Sequence, residues 1–236
     1  DNTRSRGLGD VYKRQYGLSK DANFNITNTL QKEKYSEFNL KIKIPGSKKE
    51  IKKIKIPLIG MHNIKNAASC AAVAFLIGIN DKTIKEGLKN FRGVQRRFNF
   101  LFKKNDALFF DDYAHHPTEI SSVLEGVKEV YKKKEIICIF QPHRISRVKN
   151  LKFEFSRSFK KADTVILCPI YKASENIKLG FAYEKFAKLI IKNSNVSLIK
   201  IENEDSLKKL IKQTGYGEKI YIGMGAGSIS NWMRNL

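Results

Sequence analysis

The hydrophobic pattern of the second half of the chain alternates between two kinds of segment. From about residue 93 onwards, short apolar runs typical of buried strands are followed by stretches with apolar residues at helical spacing. The pattern predicts strands at Phe98–Phe102, Ala107–Phe110, Ile136–Phe140, Thr164–Cys168, Val196–Ile201 and Lys219–Met224. It predicts helices from Pro117 onwards and at Asn150–Phe159, Phe181–Ile191, Ser206–Gln213 and Ser228–Met233. This alternation predicts an α/β fold with a Rossmann-like, doubly wound, mostly parallel sheet.

The first part of the chain has a different pattern. Residues 1–15 show no apolar periodicity, and we expect them to be a leader that is not native to the protein. Short alternating segments then predict the strands of a sheet edge or meander, at Phe24–Ile26, Tyr35–Ile44 and Ile51–Leu58. A run of small residues predicts a tightly packed helix that ends near Gly78, and a second helix follows from Asp81 to about Asn90. A glycine hinge at Gly93 places a domain boundary between residues 92 and 93.

Polar residues follow several of the predicted strands. The loops after successive parallel strands open on the same edge of a sheet, so these side chains should meet on one rim. The loops are residues 111–119, 141–147, 171–175 and 225–227. The first, D-D-Y-A-H-H-P-T-E, crowds three carboxylates and two imidazoles onto one turn between a strand and a helix. A single capping carboxylate would be ordinary there, but five polar groups together favour a functional site.

A zinc site is an alternative interpretation of this cluster, because all four histidines, at positions 62, 115, 116 and 143, lie in such polar stretches. The helical spacings H-x-x-x-H and H-x-x-E-H are absent, and the adjacent His115 and His116 should point in different directions. We therefore predict no metal ligands. The G-x-G-x-G run at residues 223–227 lacks the context of a dinucleotide fingerprint and is expected to form a tight turn.

Two further motifs could bind a nucleotide. Asn63 and Asn66 are spaced to share one face of the first helix, where their amides could read the edge of a base. Asn63 could instead cap that helix, and the sequence leaves both readings open. Arg96 and Arg97 stand next to the glycine hinge, and we expect this pair to bind phosphate because an arginine fork can do so bidentately.

The formal net charge of +22 raises the possibility of nucleic-acid binding, but the composition argues against it. Most of the 45 basic residues are lysines dispersed along helices and strand flanks, as in a solvated surface. No segment approaches the ~20 apolar residues of a membrane span, and no apolar signal run begins the chain. We expect a cytoplasmic protein with neither a nucleic-acid nor a membrane partner. Cys70, Cys138 and Cys168 stand far apart in apolar runs and are predicted to be buried.

Six stretches, taken in order, closely resemble the Mur ligases of peptidoglycan synthesis. They are G-M-H-N-I-K-N from Gly60, F-R-G-V-Q-R-R-F from Phe91, D-D-Y-A-H-H-P-T-E from Asp111, F-Q-P-H-R-I-S-R from Phe140, Y-K-A-S-E from Tyr171 and G-M-G-A-G from Gly223. The resemblance covers roughly residues 16–236. One departure is Ile59-Gly60-Met61, where the family often has Pro-Gly-Arg, and it leaves the helix start intact.

The resemblance implies a domain organisation. Residues 16–92 would be the end of the central ATP-binding domain, and residues 93–236 would be the whole amino-acid-binding ligase domain. The family's N-terminal domain and its P-loop are not represented, since no G-K-[ST] occurs in these 236 residues. We expect this chain alone to be inactive. Its oligomeric state cannot be inferred from the sequence.

The resemblance also implies an activity and residue roles. The motifs resemble most the members that join L-alanine to the muramoyl carboxylate of UDP-N-acetylmuramate through an acyl phosphate, using ATP and Mg²⁺, with most Mg²⁺ ligands upstream. His62, Asn63 and Asn66 would bind adenine. Arg97 would reach the nucleotide phosphates, and Asp112 would orient the nucleotide or the closed interface. Tyr113, His115, Arg144 and Arg147 would bind the substrates. From its chemistry, His115 could also accept the proton of the attacking amine.

Two other functions remain open at this point. A related ligase recycles UDP-N-acetylmuramate by joining it to a tripeptide and shares the His-His-Pro turn. Tyr113, the pair Thr118-Glu119 and the run F-Q-P-H-R favour the alanine enzyme. A lysine-rich nucleic-acid-binding module is the second alternative, and it would show a steep dependence of DNA affinity on salt.

Overall fold

The computed structural model describes residues 13–91 and 93–236 of the chain. The chain divides into two compact units, Asp1–Phe91 and Arg92–Leu236. Of the predicted leader, residues 1–15, the first twelve residues lie outside the described part of the chain. Its last residue, Gln15, accepts a hydrogen bond from the backbone N–H of Phe24 at 3.0 Å. The fold of the first unit therefore includes at least the end of this segment.

The first unit is a small sheet with two helices. Its elements are β1 (Tyr16–Gly17), β2 (Phe24–Lys32), β3 (Tyr35–Ile44), β4 (Ser47–Ile56), α1 (Met61–Leu76) and α2 (Asp81–Asn90). The strands follow the order β1-β2-β3-β4; β1 pairs with β2 in parallel and the other pairs are antiparallel. The predicted meander is confirmed. The two-residue β1 was not predicted, because so short a strand carries no periodicity.

Alternation along β3 directs one set of side chains towards α1. Phe38, Leu40 and Ile42 are fully buried and belong to the same core cluster as Ala68 and Ala71 of α1. Alanine side chains at these positions leave room for the larger residues of the sheet, as the close packing of a protein core requires. The run of small residues therefore forms the packed helix that the sequence predicts.

Asn63 does not cap α1, so that reading is wrong. The residue before the helix is Gly60, at φ +96°, and the helix begins at Met61. The side-chain amide of Asn63 instead donates to the Ile59 carbonyl oxygen at 2.7 Å. In α2, by contrast, the side chain of Asn80 accepts from the backbone N–H of Thr83, as a capping asparagine does.

The second unit is a six-stranded sheet with helices between its strands. Its strands are β5 (Asn99–Lys104), β6 (Ala107–Asp112), β7 (Glu135–Phe140), β8 (Thr164–Leu167), β9 (Ser197–Lys200) and β10 (Lys219–Met224). Its helices are α3 (Pro117–Val130), α4 (Ile145–Asn150), α5 (Lys152–Arg157), α6 (Tyr183–Ser194), α7 (Glu204–Thr214) and α8 (Ile229–Arg234). The strands follow the order β5-β6-β10-β7-β8-β9. Only β5 runs antiparallel to its neighbour, so the predicted mostly parallel α/β sheet is confirmed.

One predicted helix, Asn150–Phe159, is wrong in its boundaries. Two short helices, α4 and α5, occupy this region, and they are separated at Leu151, whose ψ of 22° interrupts the helix. The residue before α4 is Arg144, at φ +70°, and its backbone N–H donates to the Tyr171 carbonyl oxygen at 2.8 Å. This distant partner sets the start of α4, and a local periodicity carries no information about it.

The core of the second unit is organised around β10, which lies between β6 and β7. Ile220, Tyr221, Ile222 and Met224 of this strand are fully buried. The Tyr221 ring stacks on Phe109 of β6 with ring centroids 4.7 Å apart. A strand buried on both faces reads as a continuous apolar run, which explains why its limits were predicted correctly.

The cysteines are predicted only in part. Cys138 and Cys168 are buried, and burial raises the pKa of both thiols, so they behave as small core residues. Cys70 is exposed on α1, so its predicted burial is wrong. In the described ranges, no helix has the length and apolar character needed to cross a membrane.

Gly225, directly after β10, should not tolerate a side chain. Its φ is +151°, and an added Cβ would lie 2.6 Å from the Gln141 carbonyl oxygen. We expect Gly225→Ala to lower the free energy of unfolding by on the order of 2–4 kcal/mol, from backbone strain and overpacking. Urea unfolding followed by fluorescence of Trp232, the single tryptophan, reports on this unit.

Gly217→Ala is the matched control, because a Cβ at Gly217 would meet nothing within 4 Å. We expect it to change stability by less than about 1 kcal/mol. Equal effects of the two substitutions would contradict the steric argument.

Candidate functional site

The carboxyl ends of β6, β10, β7 and β8 bring the predicted loops together. The backbone N–H of Gly225, after β10, donates to the Asp112 carbonyl oxygen at the end of β6. That of Gln141, after β7, donates to the Met224 carbonyl oxygen at 2.9 Å. His143 and Tyr171 then form an isolated parallel bridge between the next two loops. The predicted convergence on one rim is confirmed.

Asp112 is buried and its carboxylate is used internally. Only 3% of the residue is exposed. One carboxylate oxygen accepts from the Phe98 N–H at 2.7 Å, and the other accepts from the Ala114 N–H at 2.7 Å. Burial raises the pKa of Asp112 to about 6, against the opposing effect of these two donors and of Arg97. The carboxylate therefore holds the loops on both sides of β6 in place, and no contact with a nucleotide is needed to explain it.

His115 has a defined tautomer. Its Nδ1 lies 2.9 Å from the Tyr113 carbonyl oxygen, and a carbonyl oxygen can only accept a hydrogen bond. Nδ1 therefore carries a proton, and in the neutral ring Nε2 is left as the acceptor. The ring also lies edge-on to Tyr113 and to His143, with centroids 5.1 and 6.0 Å away. A ring held in this way can accept a proton at Nε2.

Glu119 holds the start of α3. Its Oε2 accepts from the backbone N–H groups of His115 and His116 at 3.0 and 3.2 Å. Burial acts to raise the pKa of Glu119, but these donors and the charges of His115 and Arg97 outweigh it, so the pKa is lowered. His116 is exposed. The two adjacent histidines thus have different surroundings.

Arg96 and Arg97 also have different surroundings. The Arg96 side chain is 24% exposed, and its Nη2 donates to the Gly225 carbonyl oxygen at 2.6 Å. The Arg97 side chain is 51% exposed, and its nearest carboxylate oxygen, on Glu119, is 4.0 Å away. Both guanidinium groups lie over the Tyr113 ring, at 4.7 Å for Arg96 and 5.8 Å for Arg97. Only Arg97 is left with its charge directed at solvent.

Arg144 and Arg147 lie on the loop after β7. Arg147 Nη1 lies 3.2 Å from His143 Nδ1, and because a guanidinium can only donate, this nitrogen of His143 is the acceptor. Burial, followed by the positive charge of Arg147, lowers the pKa of His143 and favours its neutral form. Arg144 is exposed, with its backbone in the left-handed region at φ +70°. Such strain is characteristic of functional sites.

The loop at residues 171–175 supports the arginine loop. The Tyr171 ring stacks on His143, with centroids 5.6 Å apart and an interplanar angle of 11°. The Glu175 carboxylate accepts from both the backbone N–H and the hydroxyl of Ser146, and these bonds lower its pKa. Ala173 and Ser174, between them, both have positive φ. The loop therefore fixes the start of α4, where the two arginines lie.

The predicted adenine-binding residues lie at the start of α1, in the first unit. The His62 ring folds over Gly60, where an added Cβ would lie 2.6 Å from the ring. Asn63 is half-buried and Asn66 is exposed, one helical turn apart. This spacing agrees with the expected shared face, and Asn66 leaves its amide open to solvent.

Two residues of the site, Gln141 and Glu175, were not singled out from the sequence. Gln141 accepts from the Ile229 N–H and exchanges hydrogen bonds with the Ser228 hydroxyl, which ties the glycine turn to β7. Glu175 and Gln141 both lie in motifs that resemble the family, so the sequence indicated their positions but not their contacts. Within residues 13–91 and 93–236, no three His, Cys, Asp or Glu side chains group as metal ligands would.

Comparison with known proteins relates the chain to one family. Residues 96–227, more than half of the chain, match the family described as Mur ligase, glutamate ligase domain. The chain is 59% identical over 222 residues to a protein of Pelagibacter ubique (strain HTCC1062) named UDP-N-acetylmuramate--L-alanine ligase, covering 94% of this chain and 48% of that relative. The chain spans about half the length of the curated relatives it matches.

Solved structures show the same similarity. The crystal structure of the UDP-N-acetylmuramate-alanine ligase MurC from Thermotoga maritima has a TM-score of 0.72 at 25% identity, covering 93% of this chain and 46% of that one. A murein peptide ligase from Psychrobacter arcticus 273-4 has a similar fold, with a TM-score of 0.65 at 21% identity, covering 94% of this chain and 45% of that one.

The buried Asp112 makes stability depend on pH in a defined direction. Because its folded-state pKa is raised to about 6 from 3.8, the folded state holds this proton more tightly than the unfolded chain does. The stabilising contribution is complete below about pH 4 and is lost as the pH rises through about 6. Relative to Asp112→Asn, we expect the free energy of unfolding to fall by on the order of 2–3 kcal/mol over this range.

Urea unfolding at several pH values, followed by Trp232 fluorescence, measures this change. Asp106→Asn is the control, because the Asp106 side chain is 68% exposed. Parallel pH curves for the wild type and Asp112→Asn would contradict the raised pKa.

Proposed function

Since the chain belongs to the Mur ligase family, we propose that it is the C-terminal part of a ligase that joins L-alanine to the muramoyl carboxylate of UDP-N-acetylmuramate. ATP, when bound, supplies the phosphoryl group that activates this carboxylate as an acyl phosphate. We place the reaction in the cytoplasm, where its nucleotide substrates occur. The observation that supports this proposal best is the rim, where exposed cations and a neutral imidazole surround the carboxyl ends of β6, β7 and β10.

The charge of the rim fits the two anions of such a reaction. Arg97 and Arg144 have side chains open to solvent, while Arg147 is half-buried and held by His143. An arginine fork can bind the carboxylate of L-alanine bidentately, and a second can bind the phosphates of the sugar nucleotide. We assign Arg144, Arg147 and Tyr113 to substrate binding. None of these cations is neutralised by an ion pair shorter than 4.0 Å in the described part of the chain.

We assign Arg97 to the phosphates of ATP. An exposed guanidinium next to the hinge can stabilise the negative charge that develops as phosphate leaves. Arg96 is excluded from this role because it is already bonded to the Gly225 carbonyl oxygen. The predicted pair therefore supplies one phosphate ligand and one structural contact.

His115 is our candidate for the general base. The ammonium group of L-alanine must lose a proton before its nitrogen can attack, and Nε2 of His115 is the acceptor that the Tyr113 carbonyl leaves available. Asp112 acts indirectly. Its carboxylate accepts from the Ala114 N–H and thereby holds the turn that carries His115. We assign it a positioning role in place of the expected direct contact with the nucleotide.

His62, Asn63 and Asn66 remain our candidates for adenine. The exposed amide of Asn66 can both donate and accept, as the edge of a base requires. The Asn63 amide nitrogen uses one of its two N–H groups on the Ile59 carbonyl oxygen, so its oxygen and its second N–H are left for a ligand. For Mg²⁺, the described residues offer no group of three or more His, Cys, Asp or Glu side chains that could hold the ion, and we assign no ligand of this ion to them.

The substrate assignment can be tested with a chimera in which residues 16–236 replace the aligned part of the Pelagibacter ubique ligase. We expect phosphate release from ATP that depends on both UDP-N-acetylmuramate and L-alanine. The isolated chain should release none, because it has no P-loop. Phosphate release that depends only on a tripeptide would assign the chain to peptide recycling. If no acceptor gave phosphate release, both assignments would be contradicted.

His115→Ala in the same chimera tests the general base. We expect turnover at pH 7 to fall by about 10²–10⁴-fold, and the loss to shrink at higher pH, where more of the free L-alanine amine is deprotonated. His116→Ala is the matched control, because this neighbouring imidazole lies on the same turn, is exposed and has no assigned part in the reaction. Unchanged turnover of His115→Ala at pH 7 and below would remove His115 from the mechanism.

A further inference from the structure

A buried charged cluster lies behind the rim and is not explained by substrate binding. Asp111 is fully buried at the end of β6, next to Asp112. Its Oδ2 accepts from the Ser230 hydroxyl at 2.5 Å. The same oxygen lies 3.8 Å from Arg96 Nε and 3.7 Å from Arg234 Nη2. One buried carboxylate thus faces two guanidinium groups, one from near the start of the second unit in the sequence and one from near its end.

Burying the charged groups of this cluster costs free energy, because they lose their contacts with water. Asp111 Oδ1 and Arg96 Nε are both buried and have no hydrogen-bond partner in the described part of the chain. Buried charges are stabilising only when their geometry is good and their remaining atoms are satisfied. A cluster that is only partly satisfied therefore calls for an explanation other than stability.

The backbone around Arg96 shows what the cluster holds. Arg96 and Phe98 both have positive φ, at +59° and +49°. The Arg96 carbonyl oxygen accepts from the Tyr113 N–H at 2.6 Å, and the Phe98 N–H donates to Asp112. With the bond from Arg96 to Gly225, the segment 96–98 is fastened to two strand ends. Arg97 is the residue between these fastened positions.

We propose that Asp111, with Ser230 and Arg234, is a positioning group that holds Arg96 against the glycine turn and thereby presents Arg97 outward to the anionic substrate. The Arg96 side chain is 24% exposed and the Arg97 side chain is 51% exposed, so one arginine faces the interior and the next faces solvent. Asp111 neutralises the inner guanidinium, and the outer one keeps its charge for the ligand. This inference rests on the proposed function for the role of Arg97, but the position of Arg96 can be tested without it.

The first test uses the 236-residue chain and no substrate. We expect the Arg96 guanidinium protons to give slowly exchanging NMR signals, which Arg96→Lys identifies by their loss. Asp111→Asn should speed their exchange at least tenfold, while the backbone amide spectrum shows that the protein is still folded. If Asp111→Asn does not fold, Ser230→Ala provides the milder test of the same contact. Exchange of the Arg96 protons as fast as that of Arg97 would overturn the proposal.

The second test measures kcat/KM for ATP in the chimera. We expect Arg96→Lys to lower it at least tenfold, because lysine lacks the planar fork that reaches both Asp111 and Gly225. Since Arg96 acts through Arg97, the double variant Arg96→Lys with Arg97→Ala should be no worse than Arg97→Ala alone. If the two losses in kcat/KM instead multiplied in the double variant, Arg96 would have a structural role separate from Arg97, and the proposal would be overturned.

Arg157→Lys is the matched control in both tests, because Arg157 is an exposed arginine of α5. It should leave exchange and kcat/KM unchanged. An inactive wild-type chimera would count against the proposed function only, and the exchange measurement would still decide whether Asp111 holds Arg96.

Discussion

The parallel pairing of β10 with β6 and β7 is the constraint on which the rest of the second unit depends. Residues Ile220–Met224 pair with Leu108–Asp112 on one side and with Ile136–Phe140 on the other. This register brings Asp112, Met224 and Phe140 to the same edge, so the loops that follow them must meet. Residues more than 100 positions apart, such as Arg96 and Gly225, come into contact only because this strand is inserted between the other two.

The acidic groups at the rim are bonded to other parts of the protein. Asp111 faces two arginines, Asp112 binds two backbone N–H groups, and Glu119 and Glu175 hold the starts of α3 and α4. The surface that remains open to solvent carries positive charge, from Arg97 and Arg144. An acidic motif in the sequence therefore leaves a positively charged open surface, because its carboxylates are bonded to backbone N–H groups or face buried contacts within the protein.

Two carboxyl groups of one turn also differ in their titration for a clear physical reason. Burial dominates at Asp112 and raises its pKa, whereas at Glu119 the backbone donors and nearby positive charges outweigh a smaller burial. Glu119 is therefore ionised wherever the protein is folded near neutrality, and it holds the turn of His115 and His116 throughout. Asp112 titrates close to the physiological range, so its stabilising contribution is complete in acid and is lost as the pH rises through about 6.

The sequence by itself determined the α/β alternation, the limits of β10 and the convergence of four polar loops on one rim, because buried strands and parallel connections follow from local patterns and general rules. It did not determine which of two adjacent arginines faces solvent, whether Asp112 is exposed, where α4 begins, or that Cys70 is exposed while Cys138 is buried. Each of these depends on a partner distant in the sequence or on which helix face is covered. Only the tertiary structure decides such contacts, because local periodicity carries no information about which strand ends become neighbours.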